Sequence, residues 1–174
     1  MTPARPDPAW ELLRLTAQAI RPYHDQVVIV GGFASLCYQW LPGFEDRGLA
    51  VLRTNDIDLA LPEPLALQGG ESLDQRLCGR GLERRTSISA RNEALPCRYY
   101  LPGTPQPPRA SDPYVECLVP MLGREREKPG RPQGDLLVAS PVRFLDILVA
   151  DAIDLDHPDH GALRIPHPLA FVTQ

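Results

Sequence analysis

Proline sets the first limit on this chain: twenty of its 174 residues are proline, and many fall in clusters at 3–8, 62–64, 102–113 and 129–132. A proline has no backbone N–H and fixes its own φ, so it rarely sits inside a helix or a central strand. The clusters therefore cut the chain into short elements joined by stiff loops. With 43% apolar residues, those elements have enough side-chain volume for one core. One domain spanning residues 1–174 is the expected organisation, and no internal repeat interrupts it.

Between the clusters, hydrophobic spacing predicts the elements. Leu12, Leu13, Leu15, Ala19 and Ile20 recur at near-helical spacing, with Asp7 placed to cap and Pro8 at the first helical position. A helix over Pro8–Ile20 follows. The run Val27-Val28-Ile29-Val30 is β-branched, too short for a helix and stopped by Gly31-Gly32; helical character resumes from Phe33 to Tyr38. Strand, glycine turn and helix is the unit. After a polar loop to Thr54, Ile57, Leu59 and Leu61 alternate with Asp56, Asp58 and Ala60, the period of a strand with one wet and one dry face. Further on, the pattern predicts a short helix over 71–78 and strands near 82–89, 97–101 and 114–119. A helix over 141–150 and two short strands over 152–155 and 162–165 complete the reading. The closing run from Pro168 reads as the start of a helix without a stop signal, as expected of a shortened chain or of a helix only one or two turns long.

Two carboxylates at i and i+2 of a strand point to the same side, so Asp56 and Asp58 bring four oxygens into one small volume. Such a pair repels itself unless a cation sits there. Hard oxygen ligands with open positions suit Mg²⁺ or Mn²⁺, which share their coordination shell readily with phosphates. The glycine turn supplies a complementary half: Gly31 and Gly32 let backbone approach a ligand closely, and the N–H groups opening the next helix, through Phe33, favour an anion. Thr54, with Arg53, stands just before the acids and is placed to orient them. Glu116, within Tyr114-Val115-Glu116-Cys117-Leu118-Val119, is the best third acid, because a mid-strand glutamate among apolar residues is costly unless paired or bound to metal. Pairing with Arg84, Arg85, Arg91 or Arg98 is its structural alternative. Asp112, Asp135, Asp146 and Asp151 fall at loop or helix positions and are weaker candidates.

In this order, the glycine turn, the acid-x-acid strand Asp56-Ile57-Asp58 and the later strand acid Glu116 resemble the nucleotidyltransferase superfamily. The likeness is to small bacterial members of the AbiEii-like and minimal nucleotidyltransferase groups. The motifs span residues 27–119, and the segment from Pro141 to Ala150 with Ile165-Pro166-His167-Pro168 is similar as well. The resemblance implies an α+β, polymerase beta-like fold with a mixed β-sheet flanked by helices. It also implies divalent cations and transfer of a nucleoside monophosphate from a nucleoside triphosphate. Carried over by position, Asp56, Asp58 and Glu116 would be the catalytic and metal-holding acids, and Gly31, Gly32, Phe33 and Thr54 the nucleotide contacts. Many members place serine directly after the first glycine. Here that residue is Gly32, so contacts from this position must come from the backbone.

Other functions are argued against by composition. A net charge of −4 and eleven aromatic residues leave no broad basic or stacking surface for nucleic acid. A small molecule or a protein is the expected acceptor. Four scattered cysteines, no signal segment and no long apolar run predict a reduced, cytoplasmic protein outside any membrane, with the cysteines as small core residues. His157-Pro158-Asp159-His160 reads as a surface turn rather than a zinc site. A catalytically silent module that binds nucleotide or a partner protein, such as a cognate antitoxin in a toxin–antitoxin pair, is the competing expectation.

Overall fold

The computed structural model describes residues 7–43, 54–88, 94–121, 129–135 and 137–171. Arg53, Arg91 and residues 172–174, to which sequence patterns assigned roles, lie outside them. Among the described residues the α-helices are α1 (Pro8–Ile20), α2 (Gly31–Cys37), α3 (Leu73–Gly79) and α4 (Leu145–Ala150). The strands are β1 (Val28–Val30), β2 (Asp56–Ala60), β3 (Glu83–Arg85), β4 (Arg98–Tyr100), β5 (Tyr114–Pro120), β6 (Pro132–Asp135), β7 (Ser140–Val142), β8 (Ile153–His157) and β9 (Gly161–Ile165).

Local chemistry accounts for the helix ends. Asp7 Oδ1 accepts from the Ala9 amide at 2.9 Å and Pro8 occupies the first turn, so α1 begins where the sequence placed it. In α3 a capping box does the same: Ser72 Oγ accepts from the Gln75 amide, and Gln75 Oε1 accepts from the Ser72 amide. Two expectations are corrected. The second helix begins at Gly31 itself rather than after the turn, and the helix expected over 141–150 begins only at Leu145. Pro141 and Val142 belong instead to β7, which pairs with β5 over only three residues at the end of that strand. Proline is tolerated at such a short edge because no second ladder needs its missing N–H.

The sheet is mixed, in the order β1-β2-β5-β4-β3, with β7 also on β5. β2 and β5 run parallel; β1 is antiparallel to β2, and β4 to β5. The edge of β5 is divided, with β4 along its first half and β7 along its end. β8 and β9 form a separate hairpin.

Alternation on β2 and β5 decides which face is dry. Ile57, Leu59, Val115 and Cys117 are fully buried in one core with Leu12 and Leu13 of α1 and Leu73 and Leu77 of α3. Burying each large aliphatic contributes about 2 kcal/mol before conformational entropy is charged. The opposite face carries Asp56, Asp58 and Glu116. A smaller apolar cluster covers one end of that face, with Val28, Val30 and Ala60 under Leu145 of α4. No helix among the described residues is long and apolar enough to cross a membrane.

Candidate functional site

Register brings the acids together. Reading across the sheet through successive Cα partners, one row runs Val30, Asp58, Glu116, Arg98, Arg85, one residue from each of five strands. The next row contains Asp56, Tyr114, Tyr100 and Glu83. Side chains in one such row share a side of the pleat, so Asp58 and Glu116 are lateral neighbours and Asp56 lies two residues along β2.

The three acids do not have equivalent surroundings. Burial, with Asp56 and then Glu116 adding like charge, pushes Asp58 up to about 7. Near neutral pH it therefore titrates, and a cation at this point would favour the ionised form. Asp56 is held by Thr54, whose Oγ1 donates to its Oδ1 at 2.7 Å. Glu116 is held from the other side: Ser140 Oγ donates to its Oε1, and Arg98 Nε lies 3.4 Å from its Oε2. Its side chain is only 15% exposed, so these partners offset the cost of burying its charge. The arginine pairing foreseen as the alternative is thus present, and Arg98 is the partner.

The glycine turn closes over the acid pair. Gly31 has φ +69°, a left-handed conformation suited to glycine, and a Cβ at this position would overlap Asp58 Oδ2. At Gly32, a Cβ would stand 2.6 Å from Thr54 Cβ and 2.7 Å from its Oγ1. The volume that a serine at 32 would need is already filled by the threonine. The hydroxyl nearest the turn therefore comes from residue 54, and the bond to Asp56 fixes its direction. Phe33 is different: its side chain is buried in the core, edge-on to Trp10 at 6.0 Å, so only its backbone faces the turn.

Chemically, Asp56 and Asp58 form the portion best suited to a divalent cation. A raised carboxyl between like charges, packed directly on the Gly31 backbone, suits a hard ion that takes oxygen ligands. Glu116 stands on the same face, but its oxygens are engaged by Ser140 and Arg98. No set of three His, Cys, Asp or Glu side chains capable of holding a metal ion is gathered among the described residues.

Ser140 carried no sequence signal, because it adjoined a segment patterned like a helix. Arg98 was legible only as one of four arginines able to meet Glu116. Two other expectations change. The His-Pro-Asp-His segment is a surface turn with Pro158 and Asp159 exposed, but its first histidine points inward: His157 is 3% exposed, packed on Trp40 with ring centroids 4.0 Å apart and on His160 at 4.2 Å. Cys37, Cys97 and Cys117 are buried as expected, but Cys78 is exposed.

A protein-family model described as Nucleotidyltransferase matches residues 16–174. No curated protein and no solved structure matches the chain.

Proposed function

The chain belongs to the nucleotidyltransferase family, and from that premise we propose that it transfers a nucleoside monophosphate from a nucleoside triphosphate to an acceptor hydroxyl in a divalent-cation-dependent reaction. The observation carrying this reading is the row that sets Asp58 beside Glu116, with Asp56 along the same strand and the Cβ-free Gly31 against Asp58. Asp56 and Asp58 would hold Mg²⁺ or Mn²⁺, with Glu116 as third acid; the cation would neutralise triphosphate charge and favour departure of pyrophosphate.

The remaining work falls to the chain's own groups. Gly31 and Gly32 admit phosphate oxygens close to the backbone, and Thr54 keeps Asp56 oriented. Glu116, once free of Arg98, accepts the proton of the attacking hydroxyl. The acceptor oxygen then bonds to the α-phosphorus, the bond from that phosphorus to the bridging oxygen of the β-phosphate breaks, and pyrophosphate leaves with the electron pair. Positioning and charge account for most of the rate in such a transfer.

The test is calorimetry with each nucleoside triphosphate and Mg²⁺, together with a pyrophosphate-release assay, on wild type and Asp56→Asn. Loss of metal-dependent binding and turnover in the variant is expected; an unchanged variant refutes the assignment. One observation favours a second reading, the hold of Arg98 and Ser140 on Glu116, which suits a module that binds nucleotide without turnover, alone or with a protein partner. Binding without pyrophosphate release under every acceptor condition would select it.

A further inference from the structure

A cavity of about 600 Å³ opens beside Glu116. Arg85 of β3, Arg98 and Tyr100 of β4, Glu116 and Ser140 line it from the sheet, and Ser87 lies in the connecting loop that helps complete it. The volume suits a small molecule rather than a polymer, since ligand pockets for such molecules span roughly 300–1,000 Å³. Its lining is unusual in sign for a chain of net charge −4: two guanidiniums face one carboxylate.

The guanidiniums differ in availability. Arg85 is fixed, donating to the carbonyl oxygens of Pro105 at 2.6 Å and Thr104 at 2.5 Å while stacked over Tyr100 at 4.7 Å. Arg98 lies over Tyr114 at 4.5 Å, is 48% exposed, and meets Glu116 through a single 3.4 Å contact. If Glu116 turns toward Asp58, Arg98 loses its acid partner while remaining at the cavity. An anion entering the cavity can then take that place, since the half-exposed guanidinium keeps its charge and its free donors directed at the cavity.

We propose that this cavity binds the acceptor, a small hydroxylated molecule carrying a phosphate or carboxylate that replaces Glu116 on Arg98 and leaves its hydroxyl beside the freed Glu116. This rests on the nucleotidyl-transfer reading and deepens it by naming the acceptor class. The Arg98–Glu116 pair then acts as an interlock: without an anionic acceptor, Glu116 stays on Arg98, and the nucleotide is spared transfer to water.

Three probes with one carbon skeleton separate the possibilities: glycerol 3-phosphate, glycerate and glycerol. Each is titrated into isotope-labelled protein holding Mg²⁺ and a non-hydrolysable ATP analogue, and the Arg98 Nε–H signal and the Ser87 and Tyr100 amides are followed by NMR. One or both anionic probes are expected to shift these signals at millimolar concentration while glycerol does not, and the stronger of the two identifies phosphate or carboxylate as the preferred group. Arg98→Gln should weaken the response about tenfold, a difference of about 1.4 kcal/mol. Because removing Arg98 strands Glu116 and can unfold the site, Ser87→Trp provides a second reading by filling the cavity away from the ion pair, and should abolish the response.

Equal responses to glycerol and the anions overturn the proposal, as do shifts confined to Gly31 and Gly32, insensitivity to both variants, or no response to either anion. The ATP analogue is titrated separately. Its failure to bind removes the nucleotide reading while the anion response at Arg98 still reports on the cavity itself.

Discussion

Two regions bury ionisable groups and treat them in opposite ways. At the acid corner, burial and two neighbouring carboxylates push Asp58 up to about 7. In the aromatic cluster, burial pushes His157 down to about 4, with His160 adding to the effect. Low polarity disfavours charge in both places. The difference lies in what the surroundings request. His157 is enclosed by Trp40 and Trp10 and can simply remain neutral, a structural role. Asp58 is surrounded by acids of its own sign next to a glycine backbone, so neutrality at high pH requires either a proton or a cation. Burial alone does not mark a site; burial among like charges does.

The strongest challenge to this contrast is Asp58→Asn. Turnover should fall by two to three orders of magnitude, roughly the scale of removing one key electrostatic contact to the transition state. Stability should change in the opposite sense. The folded value of about 7 lies above the ordinary 3.8, so the contribution of Asp58 is fully present below 3.8 and is lost as pH rises through 7. The metal-free variant should therefore melt higher than wild type above pH 7, with the gap closing in acid. Thermal melts across pH in chelator would show it, and an equal or lower melting temperature above pH 7 would remove the strain assigned to this carboxylate.

Gly31→Ala should come next, costing about 1–3 kcal/mol through its left-handed backbone and the overlap with Asp58. At Gly32, where the obstacle is Thr54 and not φ, the result depends on residue 54. Gly32→Ser should destabilise wild type but be tolerated in a Thr54→Gly background. Chemical denaturation of the two singles and the double measures this coupling, and simple additivity would mean that the threonine does not occupy the serine's space.

The histidine cluster predicts a smaller effect confined to acid. The folded value of His157 lies below the ordinary 6.5, so its contribution is present above 6.5 and lost as pH falls through 6.5 toward 4. His157→Phe should flatten that part of the stability curve and leave turnover unchanged, as thermal melts between pH 4 and 7 and a turnover assay would show. A pH-dependent turnover defect at neutral pH would show that the cluster communicates with the acid corner. Smallest of all, Asp7→Ala should cost about 1 kcal/mol in denaturation, through the lost cap of α1, with no effect on nucleotide binding.

What could be read from sequence was local. The Asp7-Pro8 start of α1, the β-branched run before Gly31 and the alternation around Asp56 and Asp58 each follow from spacing a few residues wide. Glu116 was legible as a polar residue in an apolar strand. What escaped depended on distant partners. Pro141 and Val142 sit in a pattern that suits helix or strand, and only the free end of β5 makes them a strand. His157 looks exposed until Trp10 and Trp40 cover it. Neither the Arg98–Glu116 pair nor the cavity beside it is visible before β4 and β5 are in register. The family model, matching residues 16–174, agrees with the motif reading on nucleotidyl transfer.

The most direct test of the acid corner is calorimetric titration of Mn²⁺, with a non-hydrolysable nucleoside triphosphate analogue present, in buffers of different ionisation enthalpy just below pH 7. Wild type should bind the ion with release of protons, because Asp58 must ionise to hold it, and Asp58→Asn should lose both the binding and the proton release. Binding of equal strength in the variant, or uptake by wild type without proton release, would contradict the account.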